Sequence, residues 1–163
     1  MGVLTLGALC ENGKECWLPS REYNALFYYD IEVDKFEYVN KFTNCINSKA
    51  WQIIKVLSWG DSLYCFSRYG YQCWKIDKKT KCFENIIYSK KQVEMISNVE
   101  IYKNMVFIMS NNVNVPILCW NIEKNDITEI ITIINTLRIL FLFSKSIPPF
   151  LVIFIWILFK DLK

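Results

Sequence analysis

The chain has 163 residues, of which 53% are hydrophobic and 16% aromatic, with a formal charge of +3 and no histidine. That length suits about one domain with a real core, and the aromatic content favours strands over disorder. Without histidine there is no Ser-His-Asp triad, Cys-His pair or histidine-based zinc site. So small a charge, with Lys and Arg scattered between strands, makes no case for nucleic acid.

Taken in order, Met1 to Gly13 carries no signal-peptide charge at its start, and Leu6 leaves Met1-Gly2 without a myristoylation signal. Val3 to Cys10 reads as a short strand and Glu11-Asn12-Gly13-Lys14 as a hairpin turn centred on Asn-Gly. Glu15 to Leu18 follows as a strand ended by Pro19-Ser20, then Ala25 to Ile31, then Phe36 to Phe42. Trp51 to Trp59, Ser62 to Arg68 and Tyr71 to Ile76 form the next group, with turns at Gly60-Asp61 and Tyr69-Gly70. That register sets Cys65 opposite Trp74, so Cys65 and Cys73 point to opposite faces and do not pair. Cys82 to Ile86 closes the group. Val99 to Ser110 holds two strands with a turn near Lys103-Asn104, and strands around Trp120 and over Ile127 to Ile130 complete a third.

One phrase recurs: Tyr29-Asp30-Ile31, Trp74-Lys75-Ile76 and Trp120-Asn121-Ile122. Its isoleucines lie 76 − 31 = 45 and 122 − 76 = 46 residues apart. Each copy leads through a charged turn into a further apolar run: Phe36-Glu37-Tyr38-Val39, Phe83-Glu84-Asn85-Ile86 or Ile127-Thr128-Glu129-Ile130. A period of roughly 40–50 residues built from short strands is the signature of propeller blades. The reading is an all-β chain whose residues 1–130 form antiparallel β-meander blades of a partial β-propeller, about three in number.

On these residues the chain resembles the kelch-like or galactose-oxidase-like β-propeller superfamily, over about Leu4 to Ile130. Tyr29-Asp30-Ile31 with Lys35, and Trp74-Lys75-Ile76 with Thr80, match the family's aromatic, turn and outer-strand pattern. The double glycine is absent, and the closing tryptophan is Phe36, Phe83 or Ile127. The resemblance implies a propeller whose loops bind a partner.

From about Ile131 the composition changes. Residues 131–159 hold only Arg138 and Lys145 as charges, and Pro148-Pro149 suits the start of a helix. Three expectations stand for this apolar, helical tail: a membrane segment over 137–159, a frameshifted end, or a buried helix of a soluble chain. The chain is accordingly expected to be membrane-associated or cytoplasmic.

Seven cysteines, at 10, 16, 45, 65, 73, 82 and 119, form no CxxC pair. They read as small apolar strand residues in a reducing compartment. Carboxylate pairs such as Asp30 with Glu32 read as solvated turns, and with five glycines there is no GxGxxG and no phosphate loop. No catalytic, metal or cofactor residue is expected, and the chain is read as a non-enzyme. Most tryptophans read as blade packing. Trp17, Trp59, Tyr69 and Tyr71, at strand ends or loops, are the candidates for a stacking platform. The functional readings are an interaction module for a protein or peptide or, alternatively, a carbohydrate-binding or degenerate glycan-active propeller, or a truncated fragment without function.

Overall fold

Asn12 and Gly13 both take positive φ, +52° and +68°, as an Asn-Gly turn between two short strands requires. In the computed structural model, which describes residues 8–20, 23–43, 53–70, 72–88, 95–112 and 114–130, that hairpin opens a series of strands. The first sheet contains β1 (Leu9–Glu11), β2 (Glu15–Ser20), β3 (Ala25–Asp30) and β4 (Lys35–Lys41). The second contains β5 (Ile53–Trp59), β6 (Ser62–Ser67), β7 (Gln72–Asp77) and β8 (Phe83–Ile87). The third contains β9 (Ile96–Tyr102), β10 (Met105–Ser110), β11 (Ile117–Asn121) and β12 (Asp126–Ile130). Each is a four-stranded antiparallel meander in chain order. Among the described residues no helix is long and apolar enough to cross a membrane. The tail expected over 131–163 lies outside them.

Pro19 lies within β2, opposite Leu26, rather than ending the strand. Its partner strand β1 stops at Leu9, opposite Trp17.

The outer turns show the repeat at atomic level. Asp30 Oδ1 accepts from the N–H groups of Glu32 and Val33 at 2.9 and 3.3 Å. Asp77 Oδ1 accepts from those of Lys79 and Thr80 at 3.1 and 2.6 Å. Asn121 Oδ1 accepts from those of Glu123 and Lys124 at 3.1 and 3.0 Å. Four positions on, Asp34, Lys81 and Asn125 take φ of +52°, +59° and +52°, reversing the chain into the outer strand. The residue after each turn-capping side chain (Ile31, Lys78, Ile122) donates its N–H to a carbonyl in the first hairpin of the same sheet. Those carbonyls belong to Lys14, Asp61 and Asn104, at 2.8, 3.0 and 2.9 Å.

This geometry corrects the alignment of the phrase. The capping residues lie 77 − 30 = 47 and 121 − 77 = 44 apart, so Ile76-Asp77, not Trp74-Lys75, matches Tyr29-Asp30 and Trp120-Asn121. Trp74 mimics the match because a shift of two along a strand keeps a residue on the same face. The segments after the turns do correspond, since Phe36, Phe83 and Ile127 each pair with the residue just before the cap.

Strand alternation gives each sheet two faces, and two cores form where sheets meet. Trp17 and Leu26 of the first sheet pack with Val56, Leu63, Cys65 and Trp74 of the second. The second sheet's other face, with Leu57, Tyr64 and Phe66, packs on Val99, Val106 and Trp120 of the third. The stretches after β4 and β8 cross to the next sheet. Phe42 meets the Trp74 ring at 5.1 Å, and Tyr88 stacks on Trp120 at 5.6 Å. Trp74 Nε1 donates to the Thr43 carbonyl at 3.1 Å, which satisfies the buried indole.

Candidate interaction surface

The first sheet has one face in the core with the second. Alternation puts Cys10, Cys16, Leu18, Phe27, Tyr29, Phe36 and Tyr38 on the other, because Cys16 lies opposite Tyr29, Leu18 opposite Phe27, and Phe27 opposite Tyr38. The rings on this face form one cluster. Phe27 stacks on Phe36 at 5.3 Å, meets Tyr38 edge-on at 5.7 Å and touches Tyr23 at 6.3 Å. Tyr23, Phe36 and Tyr38 are 63%, 56% and 54% exposed. Their apolar area faces solvent, and a contiguous patch of that kind marks an interaction site more often than scattered single residues do.

Tyr29 anchors the patch to the outer turn: its hydroxyl donates to Asp34 Oδ1 at 2.7 Å. That bond to a carboxylate raises the phenol pKa above its ordinary value. The third sheet has the same device, with Trp120 Nε1 donating to Asn125 Oδ1 at 3.1 Å.

At the inner edge of this face Cys10 and Cys16, opposite one another with Cα atoms 4.2 Å apart, form a disulfide. This corrects the reading of all the cysteines as unpaired apolar residues. The register set by the Asn12-Gly13 turn brings the two together, and their spacing alone does not reveal it. Such bonds persist in oxidising surroundings, so the expectation of a reducing compartment loses its basis. Cys65, Cys73 and Cys119 are buried and free, as expected, and Cys82 is free and exposed. Cys65 lies opposite Trp74, as the sequence implied. Burial pushes the Cys65 and Cys73 thiols up, which suits packing rather than nucleophilic chemistry.

Charged groups join the sheets. Lys78 Nζ donates to Glu11 Oε1 at 2.8 Å and to Ser58 Oγ at 2.7 Å. Burial opposes ionisation of Glu11, but Lys78 and Ser58, helped by the nearby Trp17 indole, hold its carboxyl below the usual range. Neither Glu11 Oε2 nor Trp17 Nε1 makes a hydrogen bond of normal geometry, so the indole acts only as a weak electrostatic partner. Lys55 Nζ reaches Glu100 Oε1 at 3.0 Å between the second and third sheets. Glu37 pairs with both Lys35 and Lys81, and Lys81 also lies over the Tyr28 ring at 4.5 Å. The two lysines, Lys35 first, lower the Glu37 carboxyl to about 2. A depressed carboxylate contributes stability above its unfolded value, near 4.5, and loses it as pH falls toward 2. Glu37→Gln should therefore flatten the fall of Tm between those limits and lower Tm slightly at neutral pH. Identical pH profiles for the two proteins would refute the assignment.

Of the four residues expected to form a platform, the three that are described do not share a surface. Trp17 is 1% exposed in the core between the first two sheets, so its ring is closed to a ligand and packs on Tyr28 at 4.7 Å. Trp59 ends β5, half-buried against the core between the second and third sheets. Tyr69 sits at the opposite end of the second sheet, where its carbonyl accepts from the Ser67 hydroxyl at 2.8 Å. Tyr71 lies outside the described residues. The exposed patch was missed although Phe27-x-Tyr29 and Phe36-x-Tyr38 carry its period-two signal, since the same alternation describes a covered blade face. Among the described residues no group of three or more His, Cys, Asp or Glu side chains could hold a metal ion.

No family model and no curated protein matches the chain. Solved structures do. An extracellular domain from B. thetaiotaomicron, assigned to a one-component system, superposes with a TM-score of 0.57 at 12% identity, over 77% of this chain and 16% of that one. A Bacteroides thetaiotaomicron protein of unknown function gives 0.57 at 11% identity, over 77% of this chain and 31% of that one. The RRP9 WD40 repeats give 0.51 at 8% identity, over 71% of this chain and 34% of that one. The chain thus spans about a sixth to a third of these proteins. The likeness establishes a β-propeller-like fold of four-stranded blades, without singling out the kelch-like or galactose-oxidase-like branch.

Proposed function

We propose that this chain is a non-catalytic interaction module of β-propeller type, binding a protein or peptide through the outward aromatic face of its first blade. The observation that carries the reading is the exposure of Phe36 and Tyr38, with Tyr23 beside them, at a face whose counterparts in the other blades are covered. Propeller and WD40 neighbours agree with such a role. The turn capped by Asp30 and Asp77 is the feature that favours a kelch-like relation within the class. A membrane tether over 137–159 belongs to the same proposal and rests on composition alone.

The test is a photo-crosslinking residue at position 38 in the full chain, with one at Lys124 as control. Position 38 should give a discrete protein adduct that Phe36→Lys diminishes at least tenfold, while position 124 gives none. Equal adducts from both positions would sink the proposal. Retention of a defined glycan, lost in Tyr38→Ala, would instead support the carbohydrate reading, because exposed rings can also stack on sugars.

A further inference from the structure

We infer that this face is a self-association surface, on which the first blades of two copies of the chain pack face to face across a two-fold axis. The inference rests on the binding surface proposed above and names its partner. In the second and third blades the same face is already an interface. The positions of Phe27 and Tyr29 are occupied there by Trp74 and Ile76, and by Leu118 and Trp120, all 3% exposed or less. The first blade thus carries on its outside the kind of surface that elsewhere in the molecule receives another sheet.

The choice of a second copy follows from charge and area. Both established contacts between blades carry ion pairs across them, Lys78 with Glu11 and Lys55 with Glu100. On the outward face the ladder positions from Cys10 to Tyr38 that surround the rings are cysteine, leucine, phenylalanine and tyrosine, and Ile31 stands where the second blade has Lys78. The charges at this face, Asp34 beside Tyr29 and Lys41 opposite Ala25, flank the two ends of β4, so an antiparallel pairing across a two-fold axis sets each against its opposite in the other copy, and an isologous dimer needs only that self-match. Aromatic rings bury about 150–250 Å² each, so five rings offer on the order of 500 Å² per copy after allowance for their mutual packing. Two copies reach roughly the 1,000 Å² that a specific interface needs.

Sedimentation velocity of the full chain is expected to show a concentration-dependent dimer that Phe36→Lys/Tyr38→Lys weakens at least tenfold. Tyr38→Arg, at a half-exposed outer-strand position, should act in the same direction if the double variant folds poorly. A crosslinker at position 36 should join β3 or β4 of one copy to β3 or β4 of the other. A monomeric wild type, a dimer indifferent to these substitutions, or crosslinks into the third blade would each overturn the inference. A monomer whose position 38 still captures another protein would overturn this inference alone and leave the interaction reading standing.

Discussion

Trp120→Ala should cost about 3–5 kcal/mol in urea unfolding, the largest loss expected from any single side chain of the third blade. The indole is 1% exposed, stacks on Tyr88 at 5.6 Å and is met edge-on by Tyr64 at 5.9 Å and Phe66 at 6.3 Å. Removing it opens a cavity whose walls belong to two sheets, so neither sheet can collapse into the space alone. It also deprives Asn125 Oδ1 of its donor in the turn. Trp120→Phe keeps a ring in the stack and loses only the N–H, so its cost should stay within about 2 kcal/mol. If alanine cost less than about 1 kcal/mol, the packing of the second blade on the third would need to be redrawn.

Lys78→Met should be the second large effect, at about 2 kcal/mol. Breaking a buried ion pair costs about 3–5 kcal/mol because one charge is left behind. The side chains of Lys78 and Glu11 keep 22% and 17% of their exposure, so the lower figure applies. The double variant Glu11→Gln/Lys78→Met should recover part of the loss, since no ion then remains among Trp17 and Ser58. The pH dependence also separates the two causes. Without Lys78, burial is the main influence left on Glu11 and pushes its folded pKa above the unfolded one. The variant's deficit should then shrink as pH falls and Glu11 takes up a proton. A deficit that did not change on acidification would mean that the lysine acts through its methylene stem.

Much of the architecture is legible in the sequence. Period-two runs separated by Asn-Gly, Gly-Asp and Lys-Asn located the first hairpin of each sheet, since those turns need the conformations these residues tolerate. The Asp77 turn was harder, because what makes it equivalent to Asp30 is a side-chain bond to Lys79 and Thr80, while the letters Trp74-Lys75-Ile76 looked like the better copy. Pro19 read as a strand end because proline brings no N–H to a ladder, yet it lies within β2 opposite Leu26. The site was less legible than the fold. Trp17 sits near a turn, as a ligand-binding ring would, yet the register places it in the core. Phe36 and Tyr38 read as packing residues because only the sheet arrangement shows which face lacks a neighbour.

The middle blade alone has both faces covered by other blades among the described residues: Trp74 and Leu63 serve one core, Phe66 and Tyr64 the other. Coupling in this molecule is therefore close to one-dimensional, passing from sheet to sheet through a single intermediary. The first blade can lose order and leave the core between the second and third intact, whereas loss of the second removes both cores together. Local opening should be graded along the chain, shallow at the first hairpin and global at β6 and β7.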